Sequence, residues 1–168
     1  MTSPMFAFCL GAFFTAVSIL LLNRLSYDFL KSRIFARKPW DLNICCGRTD
    51  GGGINADIVK HSEGLPNFLL LDDIYHLPFQ NKQLKRVLCS HTLEHVDSPE
   101  RFDRELRRVG QDVHYILPPL WDIGAAFNFL EHKWVFLTFK KEHTRLPRYI
   151  RLPFSRTLHR QFKQRIVA

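Results

Sequence analysis

The sequence is short of acidic residues and of cysteines, and each shortage excludes a class of protein. It has 16 Asp and Glu against 24 Lys and Arg, which gives a formal net charge of +8. A chain of this sign favours an anionic partner such as a lipid surface, nucleic acid or an acidic substrate. The four cysteines include the adjacent Cys45 and Cys46 and lack the spacing of a disulfide framework. We therefore expect a reducing compartment.

The sequence also has no internal repeats, and its hydrophobic content is higher than that of disordered chains. Hydrophobic residues make up 46% of the sequence and aromatic residues 13%, which is too apolar for a disordered protein. The length of 168 residues is enough for one domain with a single core and some appendages.

Residues 5–22 form an uncharged apolar run that predicts a membrane span. At 1.5 Å per residue a helix over this run would be about 27 Å long, close to the thickness of a bilayer's hydrocarbon core. No Lys or Arg precedes the run and no small-residue cleavage site follows it, so a signal peptide fits poorly. A buried core helix is the remaining alternative. Basic residues cluster at positions 24–38, so the positive-inside rule predicts a single-pass protein with the bulk of the chain in the cytoplasm.

Residues 23–39 have the spacing of a short amphipathic helix that ends before Pro39. Its apolar face predicts either a juxtamembrane helix on an anionic leaflet or a helix packed on the globular domain, and both interpretations stay open. The chain then divides into an anchor at residues 1–22, a basic juxtamembrane helix or linker at 23–39, an α/β domain at 40–139 and a basic C-terminal tail at 140–168.

The α/β domain is predicted from five short apolar strands at residues 42–46, 54–58, 67–71, 87–89 and 113–117. The organising stretch is residues 84–109, which reads as a strand, a polar loop and a helix that opens at Ser98-Pro99. Strands alternating with turns or helices predict a short Rossmann-like, mostly parallel sheet. In such sheets ligands bind at the carboxyl ends of the strands, which is where the polar residues 90–95 fall.

Four segments follow predicted strands in one order: NICCG at residues 43–47, GINADI at 53–58, DIYHLPF at 73–79 and SHTLEH at 90–95. The set resembles the class I S-adenosylmethionine-dependent methyltransferases. It is closest to the small methyltransferase type 11-like members, whose pattern approximates NLGCG, GWINVDI, D-x-x-x-LPF and SHxLEH. The resemblance covers about residues 42–118. It implies the strand order 3-2-1-4-5 and S-adenosylmethionine as the cofactor.

The resemblance also implies a cofactor site, made of Cys46, Gly47, Asp57, Asp73, Ile74, Ser90 and His91. A glycine turn lets backbone N–H groups approach a ligand, and a carboxylate at Asp57 would accept the ribose hydroxyls. Asp73 would accept the adenine amino group, with the backbone near Ile74 beside the ring. His91 would flank the reacting centre and is the candidate catalytic base.

Three departures from the family pattern stand out. Cys45 replaces the usual glycine of the first motif. The interval from Gly47 to Ile54 is too short for the usual helix between the first two strands, whose N-terminus helps to hold the cofactor. No hairpin is evident after the fifth strand, so we expect a sheet truncated relative to the seven-stranded fold.

Two other functions compete with the enzyme. One is a degenerate, non-catalytic methyltransferase fold that acts as a binding or scaffold module at the membrane. The other is a metal site, because residues 91–95 match the H-x-x-E-H zinc motif, with Cys45, Cys46 and Cys89 as further soft ligands. That motif requires a helix where we predict a strand end, so we assign no residue to a metal.

We infer the partners of the protein from the predicted anchor and from the distribution of charge. Residues 120–139 are rich in aromatics, and residues 140–165 carry nine Lys and Arg against one Glu. No base-reading motif accompanies them, so anionic lipid is a simpler partner than nucleic acid. We expect a small-molecule or lipid-linked methyl acceptor, such as a lipid, a quinone or a glycan intermediate at the membrane.

Overall fold

A computed structural model describes residues 4–37 and 39–164. Along the chain these residues form α1 (Pro4–Arg24), a wider π-helical turn (Leu25–Lys31), α2 (Ser32–Phe35), β1 (Leu42–Ile44), β2 (Ile54–Asp57), β3 (Phe68–Leu70), β4 (Leu84–Ser90), α3 (Pro99–Val109), β5 (Gly110–Ile116), α4 (Ile123–Ala126), β6 (Trp134–Phe136), β7 (Glu142–His143), β8 (Tyr149–Arg151) and α5 (Ser155–Phe162).

The main sheet has the strand order β3-β2-β1-β4-β5-β7 within the described residues. The first five strands in this order are parallel, and β7 pairs antiparallel with β5. The predicted order 3-2-1-4-5 and the mostly parallel sheet are therefore confirmed. With six strands among the described residues, the sheet is shorter than the seven-stranded fold, as predicted.

The two faces of the sheet are covered by different helices, as the period of two along a strand requires. Val87 and Cys89 of β4 belong to the core cluster that α3 completes. Leu88, between them, instead packs in a cluster with Ile34 and Phe35 on the opposite face. Residues of the predicted juxtamembrane helix are thus part of the domain core, although Phe29 in the same segment stays exposed.

The helix α3 has each of the signals that the sequence offered for it. The side chain of Ser98 caps its N-terminus by accepting from Arg101 N at 3.4 Å, and Pro99 occupies the first turn. Phe102, Leu106 and Val109 form its buried stripe. This helix carries the chain from the end of β4 back to the start of β5.

The N-terminal helix lies outside this core. Among the described residues, one helix is long and apolar enough to span a membrane, and it runs without a break from Pro4 to Phe35. The 21 residues of α1 would reach about 32 Å. Its C-terminal end contacts α4, where Asn23 Nδ2 donates to Asp122 Oδ1 at 3.2 Å.

The basic segment that the sequence sets apart as a tail is folded over its described part, residues 140–164. β7 extends the main sheet by pairing Tyr115 with His143, and β8 pairs with β6 in a second, antiparallel sheet. Part of this segment therefore hydrogen-bonds to the sheet of the predicted α/β domain. These strands are two or three residues long, too short to give a periodic pattern in the sequence.

Candidate functional site

The carboxyl ends of β1, β2 and β4 meet at one edge of the sheet. The register places Ile44 opposite Ala56 on one side and opposite Cys89 on the other. The residues that follow these positions therefore leave the sheet side by side. They are the NICCG turn, Asp57 and the Ser90-His91 pair, three of the four segments that the resemblance assigns to the cofactor.

A tight turn after β1 is fixed by Asp57. Gly47 adopts a left-handed φ of 55°, and its backbone N–H donates to Asp57 Oδ2 at 2.9 Å. The other carboxylate oxygen accepts from Ile58 N at 2.8 Å. Each oxygen keeps a second lone pair, so this carboxylate has the capacity to accept the two hydroxyls of a ribose. The turn and the acid fit the adenosine part of a nucleoside cofactor.

The loop that replaces the usual first helix is hydrogen-bonded to side chains of β1 and β2. Asn43 Nδ2 donates to Thr49 O at 2.7 Å, and Asn55 Oδ1 accepts from Gly51 N at 2.8 Å. A Cβ on Gly53 would lie 2.2 Å from Trp40 O, so only glycine allows this approach. The shortened interval is thus a compact, hydrogen-bonded loop.

Cys45 occupies the position where the family pattern has glycine, and its backbone retains the glycine-like geometry. Its φ is 50°, in the left-handed region that costs a non-glycine residue about 1 kcal/mol. Burial, with the charges of Cys89 and Asp57 nearby, raises the pKa of the Cys45 thiol well above its ordinary value. Burial also raises the pKa of Cys46 to about 12. Both thiols are therefore neutral near pH 7 and would have to release a proton to bind a metal.

Asp73 and Ile74 follow β3 in a local turn. Asp73 Oδ1 accepts from Tyr75 N at 2.8 Å, and Oδ2 accepts from His76 Nδ1 at 2.8 Å. The hydrogen bond from His76, followed by the one from Tyr75, lowers the pKa of this half-exposed carboxyl. Ile74 packs partly buried against the main core. Their assigned roles toward adenine stay a prediction.

His91 is held in an unusual environment at the end of β4. Its φ is 51°, a left-handed conformation that is strained for a residue with a side chain. Lys141 Nζ donates to His91 Nε2 at 3.0 Å, and Ser90 Oγ lies 3.3 Å from Nδ1. Burial, and then the Lys141 charge, lowers the pKa of His91 well below its ordinary value. The imidazole is therefore neutral near pH 7, with the Nε2 lone pair already engaged.

Lys141 is the site residue that the sequence did not indicate, because it was one cation among many in a basic segment. Its Nζ also donates to Ser26 Oγ at 2.8 Å, and both partners are buried. Burial lowers the pKa of Lys141 to about 8. The contact joins the strand edge at β7 to the N-terminal helical segment.

A cavity of about 400 Å³ lies between that helical segment and the glycine loop. Its walls are Tyr27, Asp28, Lys31, Ser32, Phe35, Thr49 and Asp50. The ring of Tyr27 also lies against that of His91, tilted by 53° with 5.3 Å between the ring centroids. The N-terminal segment thus covers the sheet edge at His91. The cleft has the size of small-ligand sites, but none of the predicted cofactor residues lines it.

The H-x-x-E-H motif does not form the helical zinc site that its pattern resembles. Residues 91–97 form turns, so His91 and His95 do not share a helix face, and His91 faces Lys141. His95 Nδ1 instead donates to Glu131 O at 3.1 Å, and its ring lies 4.8 Å from that of His132. Glu94 is fully buried, and burial raises the pKa of its carboxyl.

Comparisons with known proteins found a matching family model and nine similar chains among the solved structures. A family model described as a methyltransferase domain matches residues 54–113, from β2 into β5. A SAM-dependent methyltransferase from Aquifex aeolicus is similar at 16% sequence identity, over 58% of this chain and 70% of that chain, with a TM-score of 0.40. No curated protein matches the chain. The family match and the sheet order together confirm that this chain resembles the class I S-adenosylmethionine-dependent methyltransferases.

Proposed function

We propose that the chain is a membrane-anchored methyltransferase that uses S-adenosylmethionine. The observation that carries the proposal is the meeting of Gly47, Asp57 and His91 at one edge of a parallel sheet. Two of these three residues lie in the segment that matches the methyltransferase domain. Ligands of open α/β sheets bind at this edge.

The residues of the edge have distinct roles in this proposal. Asp57, with the Cys46-Gly47 turn, holds the ribose, while Asp73 and the backbone at Ile74 recognise the adenine. Ser90 and His91 form the wall between the cofactor and the acceptor. When bound, S-adenosylmethionine supplies a methyl group for direct displacement, so the main contribution of the protein is to align the acceptor.

A proton acceptor is needed only when the methyl acceptor must lose a proton. His91 is the candidate base, and its contact with Lys141 changes how it would act. The imidazole receives a hydrogen bond from the ammonium at 3.0 Å. The pKa of Lys141 is about 8, so above that pH its neutral amine can accept the Nε2 proton of His91 while Nδ1 takes a proton from the methyl acceptor, which leaves the ammonium donating to a neutral imidazole. We propose that the two residues act together.

In this proposal, α1 and the side chains around its C-terminal end contact the membrane. Every described residue of α1 is at least partly exposed, and its apolar side chains surround the helix on all sides. Ile123, Phe127 and Leu130, in and after the α4 segment that α1 contacts, are exposed as well. Such a surface favours a bilayer over water. We propose that α1 spans the membrane and that the basic residues of the domain face anionic lipid, which would place the acceptor at the membrane as a lipid, quinone or glycan intermediate.

The alternative is a methyltransferase fold that has lost catalysis and serves as a membrane-tethered binding module. It is favoured by the compact loop at residues 48–53, which lacks the helix N-terminus that ordinarily holds the charged end of the cofactor. A measurement of cofactor binding distinguishes the methyltransferase from the binding module.

Calorimetric titration of the full chain in detergent with S-adenosylmethionine tests the proposal. We expect stoichiometric binding that is lost in Asp57→Asn, which keeps the shape of the side chain but weakens its acceptance of hydroxyls. Asp112→Asn is the matched control, because Asp112 is exposed near the amino end of β5. Absence of binding by the folded wild-type chain would refute the enzyme and leave the binding module.

The anchor is tested by fractionation of a double variant, Phe13→Lys with Leu20→Lys. Phe13 lies near the centre of α1 and Leu20 about one turn before its C-terminal end, and both side chains are exposed. A charge at the centre of a spanning helix costs about 3 kcal/mol on insertion scales, so we expect the variant to leave the membrane fraction. The control exchanges the same positions for other apolar residues, Phe13→Leu and Leu20→Phe. Equal distribution of both variants would contradict a span.

A further inference from the structure

Three side chains near the turn after β4 lie in the arrangement of a metal site. Glu94, His95 and His132 each offer one ligand atom, and these atoms all lie within 4.8 Å of one another. Glu94 and His95 come from the turn between β4 and α3, whereas His132 comes from the loop before β6. The turn and the loop are distant in sequence, so only the tertiary fold brings His132 to Glu94 and His95.

Two of these groups are buried without the partners that burial demands. Glu94 is 0% exposed and His132 is 5% exposed. In the described part of the chain, both carboxylate oxygens of Glu94 and Nδ1 of His132 have no hydrogen-bond partner. An unpartnered buried carboxylate is costly, and native proteins pair such groups or use them to bind a metal. The buried ammonium of Lys141 is close enough to feel the charge of Glu94, but no hydrogen bond joins the two groups.

His95 has the orientation of a metal ligand. Its Nδ1 donates to the carbonyl of Glu131 at 3.1 Å, which fixes the tautomer with a bare Nε2. A hydrogen bond of this kind to a backbone carbonyl is the usual outer support of a metal-binding histidine.

The two loops that carry these side chains are tied together by their backbones. Lys133 N and Trp134 N donate to Glu94 O at 2.7 and 3.2 Å. The side-chain amide of Gln164 donates to the carbonyls of His95 and Glu131 at 3.2 and 2.7 Å. The position of the three ligands is therefore set before any ion binds.

We propose that Glu94, His95 and His132 bind one Zn²⁺ ion. Two imidazole nitrogens and one carboxylate oxygen are an established zinc set, which leaves a fourth tetrahedral position for water. His91 is not a ligand, so the site shares only Glu94 and His95 with the H-x-x-E-H motif, and His132 is its third ligand. The ion links the turn after β4 to the loop before β6, next to the edge of the sheet that carries the proposed methyltransferase site.

Zinc titration of the full chain, stripped with a chelator in detergent, tests the site. We expect one zinc per chain by elemental mass spectrometry. Glu94→Gln and His132→Gln should each weaken binding by at least about a hundredfold, because even outer partners of a ligand change affinity by ten- to a hundredfold. His91→Gln and His61→Gln should retain wild-type affinity. His61 is a histidine of the loop after β2 and lies outside the cluster.

Each other outcome decides against the site. A wild-type chain that takes up no zinc, or a Glu94→Gln variant that binds as tightly as wild type, overturns it. Loss of zinc in His91→Gln would favour the H-x-x-E-H set, and loss in His61→Gln would reveal surface binding. Circular dichroism of every variant, with the visible spectrum of the cobalt-loaded protein as a second readout, separates loss of ligand from loss of fold.

Discussion

Replacement of Lys141 by methionine should make the domain more stable than wild type at pH 7 and less stable at pH 10. Lys141 is 6% exposed, and its ammonium donates to Ser26 and His91. The carboxylates of Asp122 and Glu94 favour its charged form and Lys31 opposes it, but burial outweighs them and lowers its pKa from the ordinary 10.5 to about 8. Methionine fills a similar volume and removes the charge.

The magnitude follows from the two pKa values. The folded-state pKa lies below that of the unfolded chain, so the unfolded chain binds more protons between pH 8 and 10.5. The free energy of unfolding of the wild type therefore rises with pH across this window. The charged side chain costs about 3 kcal/mol at pH 7, and most of this cost, roughly 2 kcal/mol, is gone by pH 10.

The Lys141→Met variant no longer buries a charge, but it loses the hydrogen bonds of the ammonium. Without Lys141, Ser26 and His91 each lose a buried hydrogen bond, at about 1 kcal/mol apiece. We expect Lys141→Met to be more stable than wild type by about 1 kcal/mol at pH 7 and less stable by a similar amount at pH 10.

The measurement is chemical denaturation of the full chain in detergent at pH 7, 8.5 and 10, followed by tryptophan fluorescence. Lys140→Met is the matched control, because the neighbouring Lys140 is exposed and should not change the pH profile. The same pH dependence in wild type and Lys141→Met would show that Lys141 is not held at a lowered pKa, and the reasoning from burial would fail.

Three further substitutions test the loop, the turn and the helix cap, each by the free energy of unfolding. Gly53→Ala should lower the free energy of unfolding by more than about 2 kcal/mol, because its Cβ would lie 2.2 Å from Trp40 O. In the control Gly64→Ala the new Cβ meets nothing within 4 Å, so the free energy of unfolding should change by less than about 0.5 kcal/mol. Equal effects of the two substitutions would contradict the packing of the loop. Cys45→Gly should be more stable than Cys45→Ala by about 1 kcal/mol, since only glycine relieves the φ of 50°, and the reverse order would exclude strain there. Ser98→Ala should cost about 1 kcal/mol through loss of the helix cap, and a neutral result would assign that cap no weight.

Local signals in the sequence determined the sheet and much of its site edge. The apolar runs around β1 to β5 and the cap, proline and apolar stripe of α3 are each encoded within a few residues. Once the strands are parallel, their carboxyl ends fall at one edge by geometry. Gly47, Asp57 and His91 could therefore be grouped from their positions after the strands alone.

Contacts between distant segments were decided only by the tertiary structure. Lys141 was one of many basic residues in the sequence, and its pairing with Ser26 and His91 depends on the short strand β7 reaching the sheet edge. The cluster of Glu94, His95 and His132 likewise requires two loops to be hydrogen-bonded together. Local periodicity records which face of an element is buried, but it holds no information on which distant polar group arrives beside it. That is why the frame of the site could be predicted, whereas its electrostatics and the candidate metal ligands could not.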